Sequence, residues 1–181
     1  MKKINILGIS GSLRADSTNT IILASIGELF PEHVSFKIFQ GLDKIPHFSP
    51  GLDDTEGVKK FKDAIQHAAA VIICTPEYAY GVPGTLKNAL DWTVGTGDLN
   101  QKPVAAISAS PLNLGGDKAL ASLLLTLTAL GTNRNESSAL SIANVKRKIE
   151  SGKVTDPETI AALQAQCDNL LKLIAESAAD F

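Results

Sequence analysis

The chain has 181 residues, of which 44% are hydrophobic and 20% charged, with a formal net charge of −2. This suits one globular domain able to bury about 70% of its unfolded surface, and it excludes disordered, collagen-like and disulfide-dense classes. With no basic excess there is no general electrostatic footprint for nucleic acid or an anionic membrane, so neither is expected as a partner.

Lys3 to Ser10 is a short β-branched run that stops at Gly11-Ser12. Its apolar part, Ile4 to Ile9, is interrupted by Asn5 and is too short for a signal-peptide core or a membrane span, which makes a cytoplasmic location the expectation. Thr18 to Phe30 follows with apolar residues near helical spacing. Val34 to Phe39 alternates Val34, Phe36 and Ile38 against Ser35 and Lys37, the pattern of a strand, and leads into a Pro- and Gly-marked loop from Ile45 to Gly51. A helical stripe of Val58, Phe61, Ala64, Ile65 and Ala68 precedes Val71 to Cys74, a continuous apolar run typical of a strand covered on both faces.

Thr75 to Gly84 is rich in turn residues and is followed by a helix around Thr85 to Thr93, with Pro83 suited to its first turn. Pro103 to Ser110 reads as a fourth strand, Ala119 to Leu130 as an apolar helix, and Ser138 to Ile142 as a weaker fifth strand. Lys146 to Lys153 is a charged turn. Thr155-Asp156-Pro157-Glu158 then gives a capping signal for a last helix whose apolar face is Ile160, Leu163, Cys167, Leu170, Leu171 and Ile174.

Strands alternating with helices call for right-handed crossovers and a parallel sheet with helices on both faces. Ligands of such sheets lie beyond the carboxyl ends of the strands, where the strand order reverses. Chemistry is therefore expected in Gly11 to Asn19, Pro76 to Gly84 and Ser110 to Gly116.

The first of these loops reads as an anion site. Ser12, Ser17, Thr18 and Asn19 can donate hydrogen bonds, Arg14 adds a positive charge, and the helix that follows contributes free N–H groups and its dipole. For single residues a plainer role stays open: Ser17 or Thr18 as a helix cap and Arg14 as a solvated surface charge. GxxxxGK[ST] and GxGxxG are both missing, which removes support for triphosphate and pyrophosphate binding. Cys74 and Cys167 lie far apart in apolar surroundings, and His33, His47 and His67 have no ligand spacing, so neither a disulfide nor a metal site is expected.

Two motifs resemble the NADPH-dependent FMN reductases of flavodoxin-like fold, which include quinone, chromate and azo-dye reductases. Gly11-Ser12-Leu13-Arg14-x-x-Ser17-x-Asn19 is similar to that family's phosphate loop. Pro76-Glu77-Tyr78-x-x-Gly81-x-Pro83-Gly84-x-Leu86-Lys87-Asn88-Ala89-x-Asp91-Trp92 is similar to its flavin-ring loop and following helix. Ser110 with Gly115-Gly116 matches a third contact region more loosely.

The resemblance implies a doubly wound α/β fold, a five-stranded parallel sheet in the order 2-1-3-4-5 with helices on both faces, forming one FMN-binding domain over residues 1–181. It implies FMN as cofactor and NADPH or NADH as hydride donor. Ser12, Leu13, Arg14, Ser17, Thr18 and Asn19 would hold the phosphate end, Pro76, Glu77, Tyr78 and Ala79 would border the ring and ribityl side, and Ser110 and Gly115 the opposite edge. No catalytic side chain is implied, because the flavin carries the chemistry. The acceptor would be a small molecule such as a quinone, azo compound, chromate or free flavin. Relatives often associate through the helix bearing Asp91 and Trp92, so a homodimer or homotetramer is expected, with core packing of Trp92 as the alternative. A flavodoxin-like electron carrier and a catalytically silent FMN-binding protein are the competing functions. One departure stands out: Ala79 occupies a position where the family commonly has Asn.

Overall fold

Continuous burial of the central strands sets the architecture. In the computed structural model, which describes residues 3–179, β1 (Ile4–Ser10), β2 (Val34–Ile38), β3 (Ala70–Thr75), β4 (Val104–Ala109) and β5 (Ala139–Ile142) pair in parallel in the order β2-β1-β3-β4-β5. This is the expected doubly wound order. Every residue of β3 and β4 is buried, as both faces of a central parallel strand require.

Side chains of period two then divide between two layers. Leu7, Ile9, Val71, Ile73, Val104 and Ala106 pack against α2 (Glu56–Gln66), α3 (Gly84–Asp91) and α4 (Asp117–Ala129) through Phe61, Ile65, Leu86, Leu90, Leu123 and Leu127. Ile6, Ile72, Cys74, Ala105 and Ile107 face α1 (Thr18–Leu29) and α5 (Pro157–Ala179), meeting Ile22, Leu23, Ile26, Leu163, Cys167 and Leu170. Both cysteines are free and buried in this second layer. Burial pushes both thiols up, Cys167 to about 12, so neither offers a thiolate.

β2 is an edge strand and only partly buried. Its Phe36 ring occupies space that side chains would otherwise fill: a Cβ on Gly8 of β1 would come within 2.6 Å of the ring, and one on Gly27 of α1 within 2.9 Å. Register levels the strand ends that matter for function. Ser10 lies opposite Cys74 and Thr75 opposite Ser108, so the carboxyl ends of β1, β3 and β4 open onto one rim.

The segment expected to be a charged turn from Lys146 to Lys153 is more ordered than its charge suggested. Val145–Lys148 forms a 3-10 turn, and β6 (Ile149–Glu150) pairs antiparallel with β7 (Lys153–Val154). Val145 and Val154 are the reason, since both are buried in the α1/α5 layer. At the start of α5 the capping signal holds: the Asp156 carboxylate accepts from the Thr159 N–H at 2.9 Å.

Phe61 is fully buried and meets Phe39 edge-on with ring centroids 5.0 Å apart. Phe61→Ala is expected to cost about 3–5 kcal/mol in denaturant unfolding, and Phe36→Ala, on the half-open edge, less than that. Equal losses would mean that the β2 edge is as tightly packed as the centre.

Candidate functional site

The chain leaves β1 toward β2 on one side and β3 toward β4 on the other, and the gap between these directions is the switch point of the sheet. A cleft of about 500 Å³ lies there. Nine of the expected residues line it: Ser12, Arg14, Ser17, Thr18, Asn19, Pro76, Glu77, Tyr78 and Ser110. Asp16, Ala109, Pro111, Leu112 and Lys146 join them, and sequence reading did not single these out.

Three expected residues stand elsewhere. Leu13 is exposed and borders a neighbouring cavity on the β2 side. Ala79 sits at the tip of a turn. Gly115 is buried against β5, where an added Cβ would run into Ser141 and the Ile142 backbone, and its carbonyl accepts from Ser108 Oγ at 2.9 Å.

The loop after β1 is held close to β3. The Gly11 N–H donates to the Cys74 carbonyl at 2.8 Å, and a Cβ on Gly11 would lie 2.8 Å from Thr75 Oγ1. Ser17 then caps α1, its Oγ accepting the Asn19 N–H at 3.2 Å. That is the plainer role left open for Ser17, although its O–H can still donate. Asn19 is buried, and its Oδ1 accepts from the Cys74 thiol at 3.3 Å, so what it has left to offer the cleft is its amide N–H₂. No acidic residue stands in the first turn of α1. Arg14 is exposed and bound to the Asp16 carboxylate, with Nη2 2.9 and 2.8 Å from its two oxygens. The guanidinium holds the Asp16 carboxyl below its ordinary range.

Glu77 has a different task. Its Oε2 accepts from the Ala119 N–H at 3.0 Å, inside the first turn of α4. The residue before α4, Gly116, is left-handed (φ 80) and has no side chain to cap with, so a carboxylate from another loop does so. Asp117 adds a second acid there. The N-terminus of α4 is thus answered by protein carboxylates, whereas that of α1 faces the cleft with hydroxyls.

Much of the long motif shapes the surrounding loops. Asn88 Nδ2 and Trp92 Nε1 each donate to the Pro46 carbonyl at 2.9 Å, and Asn88 Oδ1 accepts the Phe48 N–H at 2.8 Å. Trp92 is buried and meets Phe48 edge-on at 5.3 Å. This favours the core-packing alternative for Trp92 and corrects the expectation that the helix presents an aromatic for association. Leu86, Ala89 and Leu90 are buried as well.

Four likenesses to known proteins agree with this geometry. A model of the NADPH-dependent FMN reductase family matches residues 4–146. A quinone reductase of Escherichia coli strain K12 is 31% identical over 174 residues, covering 91% of this chain and 92% of that protein. An NAD(P)H-dependent FMN reductase of Pseudomonas aeruginosa is 30% identical, over 92% and 93%. Among solved structures, FerB of Paracoccus denitrificans, a flavoenzyme NAD(P)H:(acceptor) oxidoreductase, superposes with a TM-score of 0.83 at 31% identity, covering 96% of this chain and 98% of that one. The chain belongs to the NADPH-dependent FMN reductase family, and it is a flavin-dependent oxidoreductase using FMN and NAD(P)H.

The departure at Ala79 has a structural consequence. Tyr78 and Gly81 exchange both backbone hydrogen bonds at 3.0 Å, and the two residues between them have positive φ, Ala79 at 49° and Tyr80 at 61°. This is the type I′ hairpin geometry, which favours Asn and Gly at its centre. A left-handed residue with a Cβ costs about 1–2 kcal/mol. Ala79→Gly is therefore expected to stabilise the protein by a net ~0.5–1 kcal/mol after glycine's own entropy, raising Tm by about 2–4 °C per kcal/mol. A fall in Tm in thermal unfolding would mean that the turn adopts another form.

Proposed function

We propose that this single-domain, cytoplasmic enzyme binds FMN in the cleft at the switch point and reduces small acceptors there, quinones foremost. The observation that carries the reading is the N-terminus of α1: helix N–H groups, hydroxyls of Ser12, Ser17 and Thr18 and the Asn19 amide gather in one cleft, with no acid in the first turn. Such a donor set fits a phosphate monoester. The cleft continues past Pro76, Glu77 and Tyr78 to Ser110, which gives a ring and ribityl chain one wall from the β3 loop and one from the β4 loop. FMN, when bound, supplies the two-electron chemistry between NAD(P)H and acceptor.

The protein's part is position. Pro76 and the tight Tyr78–Gly81 turn fix the backbone on one side of the cleft, and the Ser110 Oγ accepts the Leu112 N–H at 3.2 Å to fix the other. Glu77 acts by capping α4 and so positions both loops at once. Exposed Tyr78, Tyr80, Leu112 and Leu114 give the β3 and β4 loops an apolar, aromatic surface suited to a flat acceptor. The names of the quinone reductases among the relatives point the same way. Azo compounds, chromate and free flavin are the other acceptors in range.

The purified protein should be yellow, prefer FMN to riboflavin, and oxidise NADPH faster when a benzoquinone is added. Equal affinity for the two flavins would remove the phosphate placement. Glu77→Gln keeps an acceptor for Ala119 and is expected to change kcat by less than about tenfold, as is His47→Ala on its exposed loop. A thousandfold loss with FMN still bound would show a protein acid or base at work.

Association of two or four copies belongs to the same proposal. Its support moves from Trp92 to Val94 beyond α3 and Leu125 on α4, which are 62% and 75% exposed. Sedimentation at micromolar concentration is expected to give twice or four times the chain mass, and a monomer would overturn it.

A further inference from the structure

The segment after β5 has no part in the reading above, yet it reaches the cleft. The Val145 N–H donates to the Ser110 carbonyl and the Asn144 N–H to the Leu112 carbonyl, both at 3.1 Å. Asn144 takes the left-handed conformation that Asn tolerates (φ 52), and Val145 is buried beneath it. These contacts place Lys146 on the cleft wall together with Arg14 and Asp16, although Lys146 lies 130 positions after Asp16 in the chain.

The charges at this end are unevenly engaged. Arg14 is bound to Asp16 through Nε at 3.2 Å and Nη2 at 2.9 and 2.8 Å. Lys148 is paired with Asp156 at 3.3 Å and Lys153 with Glu28 at 3.1 Å. Among the described residues, Lys146 has no carboxylate within 4.0 Å. The four charged side chains of the wall, Arg14, Lys146, Asp16 and Glu77, balance to zero, and without Lys146 they leave a net negative site. A phosphate monoester near neutral pH carries a charge of about −1.5 to −2, and besides the helix N–H groups and hydroxyls the only other cation on the wall, among the described residues, is Arg14, which Asp16 already engages.

We propose that Lys146 is a second cation of the FMN phosphate subsite, and that Asp16 limits the affinity of that subsite by holding Arg14. The proposal rests on the phosphate end of FMN lying at the N-terminus of α1. Lysine acts here as a mobile point charge, needing no fixed fork geometry, which suits its exposed place on a turn. The Asp16 carboxyl is held down mainly by Arg14 and further by the field of Lys146, in keeping with the three charges sharing one locality.

The test is titration of FMN and riboflavin into wild type, Lys146→Met, Lys146→Arg, Asp16→Asn and Arg14→Ala, with flavin fluorescence as readout and circular dichroism melts to confirm folding. Lys146→Met is expected to weaken FMN about tenfold at low salt, to leave riboflavin unchanged, and to flatten the dependence of FMN affinity on ionic strength. Lys146→Arg restores FMN binding, and Asp16→Asn strengthens it. If Arg14→Ala lowers FMN affinity selectively but Lys146→Met does not, the phosphate placement stands and the role of Lys146 falls. If no variant separates FMN from riboflavin, the placement itself falls and the proposal with it. A rise in KM for NADPH but not NADH in Lys146→Met, with FMN affinity unchanged, would assign the cation to the dinucleotide and overturn the proposal.

Discussion

The first-turn N–H groups of α1, of which the Ser17 cap takes only that of Asn19, are the constraint on which the site depends. A helix cannot satisfy its own first-turn donors, and here the parallel register delivers that end to the rim shared by β1, β3 and β4. Gly11 makes the delivery possible by bringing the loop within hydrogen-bonding distance of β3. From there the hydroxyls and the Asn19 amide add donors without adding an acid. The Cys74 thiol in the layer below fixes which end of that amide is available.

The second rim helix shows what happens where protein carboxylates answer the helix N-terminus. α4 also starts at the carboxyl edge of the sheet, and it starts at a glycine. Glu77 and Asp117 neutralise its dipole from within the protein. Glu77 therefore couples the loop after β3 to the helix after β4, so the two walls of the cleft are joined by one hydrogen bond of 3.0 Å. The carboxylate nearest the proposed ring is thereby engaged in holding geometry.

The alternation of strands and helices, the two helix layers and the three functional loops were legible because strand and helix periods differ strongly between the runs of this chain, whereas the strand order was implied by the family resemblance alone. Apolar Val71 to Cys74 could only be central, and the structure buries it on both faces. The motif from Pro76 to Trp92 was legible as a unit, but its residues divide in a way its spacing does not disclose: Asn88 and Trp92 tie down Pro46, more than forty residues earlier. Lys146 was illegible as a cleft residue because long-range backbone pairings, Asn144 with Leu112 and Val145 with Ser110, bring it there. Asp16 was within reach of sequence reasoning, since an Arg-x-Asp spacing in a tight loop invites the pair seen at 2.8 Å. Counting donors without counting nearby acids overstated the free charge of Arg14.

The turn from Tyr78 to Gly81 ties stability to the site. Two consecutive side-chain-bearing residues in the left-handed region are held by only two hydrogen bonds of their own, so the conformation must be maintained by what flanks it. On one flank Glu77 is anchored to α4, and on the other Pro83 leads into a helix whose buried face is locked in the core. The strain is thus confined between two rigid attachments, and Tyr80, 80% exposed, is projected outward by it rather than folded against the protein. An Asn at position 79 would relieve part of that strain, whereas Ala79 keeps the same backbone path at a higher energy, with the difference borne by the packing of α3 and α4.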